Sequence, residues 1–435
     1  MSTPSRQQQV LYQWADVLSQ CLPVTKPQSL GLALWSIGTV LAKSGTLTAV
    51  AWALSIWLGW PMANLLKRLR EWYLEADAKK GAGTGGRGQK RRDWKVEDCA
   101  PALGHWILEA WPSRSLVLVL DATSIHDRFT VLAISLVYRR CAIPLLWTVL
   151  PGNTPEAWQP HWERMLGQLA PQIGGDRFVL VLTDRGLYSP QLFRAIVRVG
   201  WHPLMRIRAQ GYYRPTGQST WTPLADLRPP LNRQQTWTGD AFKNAAGRLA
   251  CTLVGWWTEG HAEPWLLLTD VSVGRVQGFW YGLRGWIETS FKDFKSGGWA
   301  CEKTRMSSAE RVQRHWLALA VAMLWTISAG GQAEAAEADE MGAGATEAAE
   351  CGWLDGLAEA ARPPWASEVP VPSREPAGAS RRRKTTPPAP RDHLISVFRR
   401  GWMILSQALA AGRLIVVRWH PEPLLKPVVA QAGFS

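Results

Sequence analysis

The stretch Trp280–Arg305, WYGLRGWIETSFKDFKSGGWACEKTR, decides how the rest of the chain is read. With Tyr281 as origin and a helical step of about 100° per residue, Arg284 falls at about 300°, Glu288 at about 340° and Lys295 at about 320°. A phenol, a guanidinium, a carboxylate and an ammonium thus share one narrow face of a predicted helix. Trp280, Leu283, Ile287, Phe291 and Phe294 fall between about 200° and 280°, an apolar stripe that should face a core. A solvated face on an amphipathic helix would carry charges too, but opposite the stripe. Here they lie at its edge, a placement that suits a cleft.

Working outward, two carboxylates stand at the ends of strand-like runs. Leu116–Leu120 is continuously apolar and ends in Asp121; Phe178–Thr183 is a second such run and ends in Asp184. Between them lie two further strand patterns, Phe129–Tyr138 and Ala142–Leu150, joined through Arg139-Arg140. A helix start follows at Asn153-Thr154-Pro155. Ser189-Pro190 opens another helix, closed by Gly200, and Pro203–Arg208 reads as one more strand. An aspartate after a buried strand is often only a turn or cap residue. Two of them in this β-β-β-α-β-α-β order, with the Glu288 helix downstream, predict an α/β ribonuclease H-like core.

Tyr281, Arg284, Glu288 and Lys295 reproduce the spacing Tyr-x2-Arg-x3-Glu-x6-Lys, and the chain resembles the insertion-sequence-four family of DDE transposases. The resemblance covers about residues 110–330. It implies an Asp121, Asp184, Glu288 triad that cleaves DNA strands at transposon ends and transfers them. It also implies phosphate binding by Tyr281, Arg284 and Lys295, assisted by Arg185 of the Asp184-Arg185-Gly186 triplet. An inserted β-domain is expected at about 209–272, with short runs at Ser219–Thr222, Gln235–Trp237, Leu249–Trp257 and Trp265–Thr269. By resemblance Trp265 stacks on a base flipped out of the transposon end. Strand packing is the alternative for Trp265, and Trp256 or Trp257 are alternative stackers.

Three converging carboxylates with no Cys or His cluster beside them suit a hard divalent cation bound through oxygen, Mg²⁺ or Mn²⁺. Two such ions are expected for in-line displacement at phosphorus. The charge of +14 and pI near 9.8 point to a polyanionic partner, here double-stranded DNA. Two DNA ends must be cut together, so a homodimer on DNA is expected.

The remaining segments are less informative. Residues 1–77 read as a helical N-terminal domain. Its helices Leu47–Leu58 and Met62–Tyr73, the second with Lys67, Arg68 and Arg70, fit either a DNA-reading helix-turn-helix or a bundle with a charged face. Residues 78–93 are a basic Gly-rich linker that either tracks phosphates or serves as a tether. The catalytic domain is placed at 94–330 and ends in a capping box, Ser307-Ser308-Ala309-Glu310, and an apolar helix to about Ser328. Low-complexity sequence follows over 331–391. A C-terminal helical segment occupies 392–435, where Asp392 caps a helix Leu394–Ala411 that serves as a dimer contact or packs back on its own core.

Six scattered cysteines with no CxxC pair exclude a zinc ribbon and a disulfide framework, and fit a cytoplasmic, nucleoid-associated protein. The first residues carry no signal-peptide pattern. Apolar stretches Ser29–Ala42 and Ser44–Trp60 fall short of the roughly 20 residues of a span, so buried helices are expected and no membrane partner. Most of the 27 tryptophans occur singly in periodic segments, which assigns them to core and groove packing. A metal-dependent nuclease without joining activity, or a catalytically degenerate DNA-binding protein, would share many of these features. The intact triad speaks against the second, and detection of strand transfer separates the first.

Overall fold

A computed structural model describes residues 4–75, 95–152, 157–340, 395–422 and 424. The expected linker 78–93, the Asn153-Thr154-Pro155 helix start and most of 331–391 lie outside the described residues.

Four helices open the chain: α1 (Arg6–Cys21), α2 (Lys26–Ala42), α3 (Leu47–Leu58) and α4 (Met62–Tyr73). Their starts are chemically marked. Ser5 and Gln8 form a capping box on α1, and Thr25 and Gln28 form one on α2. From Gly31 to Val40 every residue of α2 is buried, so the apolar stretch read at Ser29–Ala42 is a core helix. Helix α4 turns Lys67, Arg68 and Arg70 outward.

Helix α5 (Val96–Glu109) leads into a mixed sheet. Its first half is β1 (Ser115–Ile125), β2 (Phe129–Tyr138), β3 (Cys141–Pro151), then α6 (Gln159–Ile173), β4 (Phe178–Thr183), α7 (Pro190–Arg198) and β5 (His202–Arg206). The second half is β6 (Tyr212–Pro215), β7 (Thr222–Pro223), β8 (Arg233–Ala241), β9 (Leu249–Trp257) and β10 (Trp265–Thr269). The sheet order is β3-β2-β1-β4-β5-β10-β9-β8-β6-β7. β1, β4 and β5 run parallel, whereas β2 and β3 form an antiparallel meander on β1. This is the expected ribonuclease H-like arrangement.

The structure corrects several expectations. The expected insertion does hold strands, and they continue the core sheet: β10 pairs antiparallel with β5 (Leu267 with Arg206, Leu268 with Met205). The run Ser219–Thr222 supplies only the short β7, and β6 had no clear signal beforehand. Asp121 is inside β1, which continues to Ile125 on β2 alone; only its parallel pairing stops, at Leu120 opposite Thr183.

Beyond the sheet, α8 (Gly285–Phe294) precedes α9 (Ala309–Glu340). Ser308 caps α9 by accepting from the Arg311 amide. The helix runs past Ser328 to Glu340 because its Ala/Glu-rich sequence favours helix and its acids find partners. Glu334 bonds Arg139 and Arg140, and Glu337 bonds Arg400. Arg139 and Arg140 form the two-residue β2–β3 turn with φ of 43° and 63°, the left-handed geometry of a tight hairpin.

Length and composition would allow Ala309–Asp339 to cross a membrane, but 89% of its most apolar window is buried inside the fold. Trp325 stacks on Trp14 of α1 at 4.2 Å, and Trp316 stacks on Phe294 of α8 at 4.5 Å. The last helix, α10 (Val397–Ala410), is capped by Ser396; Asp392 and Leu394 lie outside the described residues. It packs back on α9, burying Val397, Phe398, Leu405 and Leu409 and leaving Met403 exposed. The Trp402 indole donates to the Val40 carbonyl and that of Trp57 to Leu409, so the N-terminal helices join the same core.

Candidate functional site

The site forms where the parallel pairing of the sheet ends. Leu120 pairs with Thr183 and Thr183 with Met205, so Asp121, Asp184 and Arg206 each stand one residue past the last pair on adjacent strands. Side-chain alternation alone would not bring them together; the common register does. The Asp184 Oδ1 accepts from the amides of Gly186 (2.9 Å) and Leu187 (3.1 Å), a turn that holds the carboxylate and leaves Oδ2 turned towards Arg284. Asp121 Oδ1 accepts from the Ala122 amide at 2.8 Å.

Helix α8 supplies the third acid. Trp286, Ile287, Phe291 and Phe294 bury its apolar face, and Ser290 Oγ accepts from the Ala142 amide of β3 at 2.7 Å. Glu288 is left on the exposed side. The expected single helix from Tyr281 to Lys295 does not form. Gly278–Arg284 is a 3-10 helix, the α-helix occupies Gly285–Phe294, and Lys295 caps it with ψ of −138°. Gly282 and Gly285 lower helix propensity at this junction. The wheel angles therefore hold among Glu288, Ile287, Phe291 and Phe294 but not for Trp280, Tyr281, Leu283 and Lys295, although Trp280 and Leu283 are buried as expected.

Arg284 ends in the middle of the acids. Its guanidinium donates to Asp121 Oδ2 at 2.9 Å and to Glu288 Oε1, and lies 3.7 Å from Asp184 Oδ2. Burial works against the Arg284 charge, but Asp121, Tyr281, Glu288 and Asp184 together raise its pKa. One cation does not balance three carboxylates. Asp121 is pushed up to about 6, first by burial and then, against the pull of Arg284, by repulsion from Asp184 and Glu288.

This shortage of positive charge, on donors that are all oxygens, fits a hard dication. The spacing is set by Arg284: among the described residues no three His, Cys, Asp or Glu side chains stand close enough to hold a metal ion. Binding a dication at these acids requires the guanidinium to move aside.

The other expected site residues are placed differently from one another. Tyr281 is buried, its phenol pushed up to about 12 by burial, and it packs edge-on against Trp265 at 5.0 Å. Trp265 is 7% exposed; His261 covers it at 4.9 Å and the Arg206 guanidinium lies 6.0 Å from its ring. A base reaching Trp265 would have to displace His261. On the neighbouring strand Trp256 pairs in register with Trp265 and meets Phe279 edge-on. Lys295 makes no ion pair with the acids among the described residues. Arg185 pairs with Glu263 at 2.6 Å, and Arg206 approaches the same oxygen at 3.5 Å.

Arg206, Glu263 and His261 were not foreseen. Only Arg206 carried a usable signal, a basic residue near the end of a predicted strand, without the register that sets it beside Asp184. Glu263 and His261 lie in a turn whose position depends on how β10 joins the sheet.

Among solved structures, the chain is similar to a cryo-EM structure of the piggyBac transposase synaptic complex with hairpin DNA. Identity is 10%, 84% of each chain is covered and the TM-score is 0.35. No curated protein matches the chain. Residues 113–325, which include every side chain of the site just described, match the family model of the transposase DDE domain.

Proposed function

We propose that the chain is a DNA transposase of the insertion-sequence-four type, acting on transposon ends and target DNA in the cytoplasm, at the nucleoid, as a homodimer on two ends. The observation that carries this reading is the convergence of Asp121, Asp184 and Glu288 on one guanidinium at the edge of the parallel strands. Asp121, Asp184 and Glu288 would hold Mg²⁺ or Mn²⁺, as one ion or two. When bound, the metal supplies Lewis acidity and a lowered pKa for the attacking oxygen.

The chain's own residues position the reaction. The amides of Gly186 and Leu187 fix the Asp184 carboxylate, and β1 carries Asp121 beside it. Arg284 offsets part of the negative charge of the acids in the free chain and, released from them, is within reach of a phosphate as charge builds on its oxygens. Arg185 lines the approach, the buried Tyr281 backs it against Trp265, and Lys295 at the end of α8 contacts backbone farther along the duplex. Trp265 takes an extruded base once His261 has turned away. The resemblance in spacing of Tyr281, Arg284, Glu288 and Lys295 supports the subfamily.

The test is cleavage and joining of duplexes bearing the element's ends with Mg²⁺. Asp184→Asn should lower cleavage at least about a hundredfold while end binding persists. Cleavage by this variant at the wild-type rate would remove Asp184 from the triad. Cleavage by the wild-type chain without any joined product would favour a nuclease.

A further inference from the structure

The turn between β9 and β10 sets a carboxylate against two arginines at the mouth of the site. A single oxygen, Glu263 Oε1, is shared by Arg185 at 2.6 Å and Arg206 at 3.5 Å. Arg185 follows the second acid in sequence, and Arg206 stands beside Asp184 through the β4–β5 register. Arg228 and Pro264 line the same pocket. Two guanidiniums sharing one carboxylate keep a net positive charge. This is the donor arrangement that recognises a phosphodiester, with a side chain of the protein lying where the phosphate would go.

We propose that Arg185 and Arg206 form a DNA phosphate site that Glu263 occupies in the free chain, so that its carboxylate competes with the incoming backbone. The proposal rests on the transposase reading and adds a restraint to it. Displacement needs only a side-chain rotation. The turn itself is tied down: Asn232 Nδ2 donates to Glu259 Oε1 and accepts in return at Oδ1 from the Glu259 amide, both at 3.1 Å. The Trp257 indole donates to the His261 carbonyl at 2.9 Å. Pro264 disfavours helical backbone at Glu263, whereas the Glu263 side chain is 48% exposed and opens to solvent. An ordinary surface ion pair of this exposure contributes little to stability, so its charge matters most for what else can bind there.

The test uses the full chain with EDTA, so cleavage plays no part. A short fluorescein-labelled duplex of arbitrary sequence is titrated at about 0.1 M salt, near one Debye length of 10 Å. Glu263→Gln and Glu263→Ala should each bind about two- to fivefold more tightly than wild type, the range for removing one exposed charge contact. Arg185→Ala should cost more affinity in the Glu263→Gln background than in wild type, where the guanidinium is already engaged. If neither Glu263 variant binds more tightly, or if Arg185→Ala costs the same in both backgrounds, the pair is only a structural tie and the proposal falls. In that case Glu263→Gln should melt at a lower temperature with its affinity unchanged. A wild-type chain that binds and cleaves DNA while the Glu263 variants show no tightening sinks this inference alone. Failure of the wild-type chain to bind any duplex sinks it together with the transposase reading.

Discussion

Strands β1–β5 and strands β6–β10 belong to one sheet but solve different problems. In the first half nearly every position is buried: β3 is buried along its whole length except Pro151, and β4 except Phe178. Helices α5, α6, α8 and α9 pack on β3, and α7 on β5. Strands closed in this way need apolar residues on both faces. The second half opens away from β5: β10 is buried along its whole length and β9 along most of its own, but β8 has one fully buried residue, Ala241, along a Thr- and Gln-rich sequence. Asp121 and Asp184 are on the closed half and Glu263 is on the open half, and the two halves meet at the β5–β10 seam. A closed sheet fixes the side chains at its edge; an open one leaves surface for a ligand. The contrast can be broken by measurement.

The largest stability effect should fall on the closed half. Leu118 has no solvent exposure and pairs with Leu136 and Val181. Leu118→Ala should cost about 2–5 kcal/mol in denaturant unfolding, the transfer loss plus a cavity that flanking strands cannot fill. A cost below about 1 kcal/mol, within the range of ordinary surface changes, would mean that this half is not close-packed.

A second test addresses the helix behind the closed half. His315 on α9 is 3% exposed, its ring faces Trp35, and Nε2 meets the Gly45 carbonyl at 2.8 Å. Burial lowers its pKa from 6.5 to about 4, so the folded state holds it neutral. The unfolded chain then binds more protons between these values. The contribution to stability is full above pH 6.5 and is lost as pH falls towards 4, on the order of 3 kcal/mol in all. Asp293 has the opposite sign: burial raises it to about 7, so it favours the folded state increasingly as pH falls through the same window. The two slopes partly cancel, and the measurement is therefore the difference between wild type and His315→Gln. That difference should shrink from pH 6.5 to pH 4. A constant difference would show that His315 titrates alike in the folded and unfolded chain.

The closed half was also the legible half. Phe129–Tyr138, Phe178–Thr183 and the order of elements could be read because full burial demands continuous apolar runs. Asp121, Asp184 and Glu288 could be placed because each follows or interrupts such a pattern. What the sequence left hidden was long-range pairing. Nothing local says that Trp265–Thr269 adds to β5, and on that pairing depend Glu263, His261 and the covering of Trp265. The break between Tyr281 and Lys295 was obscured for a different reason: wheel geometry assumes a uniform pitch, and the glycines at 282 and 285 release it. The length of α9 was misjudged because Ala/Glu-rich sequence is equally at home in a helix and in a linker; the partners that decide it, Arg139, Arg140 and Arg400, are remote in sequence.

The smallest effect should come from the open half, where polar pairs stand in place of apolar packing. Arg214 Nη2 lies 2.5 Å from Asp240 Oδ2, across the β6–β8 pair, with side chains 31% and 25% exposed. The same guanidinium lies 5.1 Å from the Trp221 ring, which also faces Arg248 at 5.5 Å. Asp240→Asn keeps the shape and a hydrogen-bond acceptor and removes the charge. Water screens the pair and the indole still holds Arg214, so the cost should stay below about 1 kcal/mol. Raising the salt to about 1 M should bring wild type and variant together, because screening removes what the variant lacks. A loss comparable to that of Leu118→Ala would make Asp240 a structural anchor. The second half of the sheet would then be held as firmly as the first, by charge instead of by burial, and openness would no longer distinguish them.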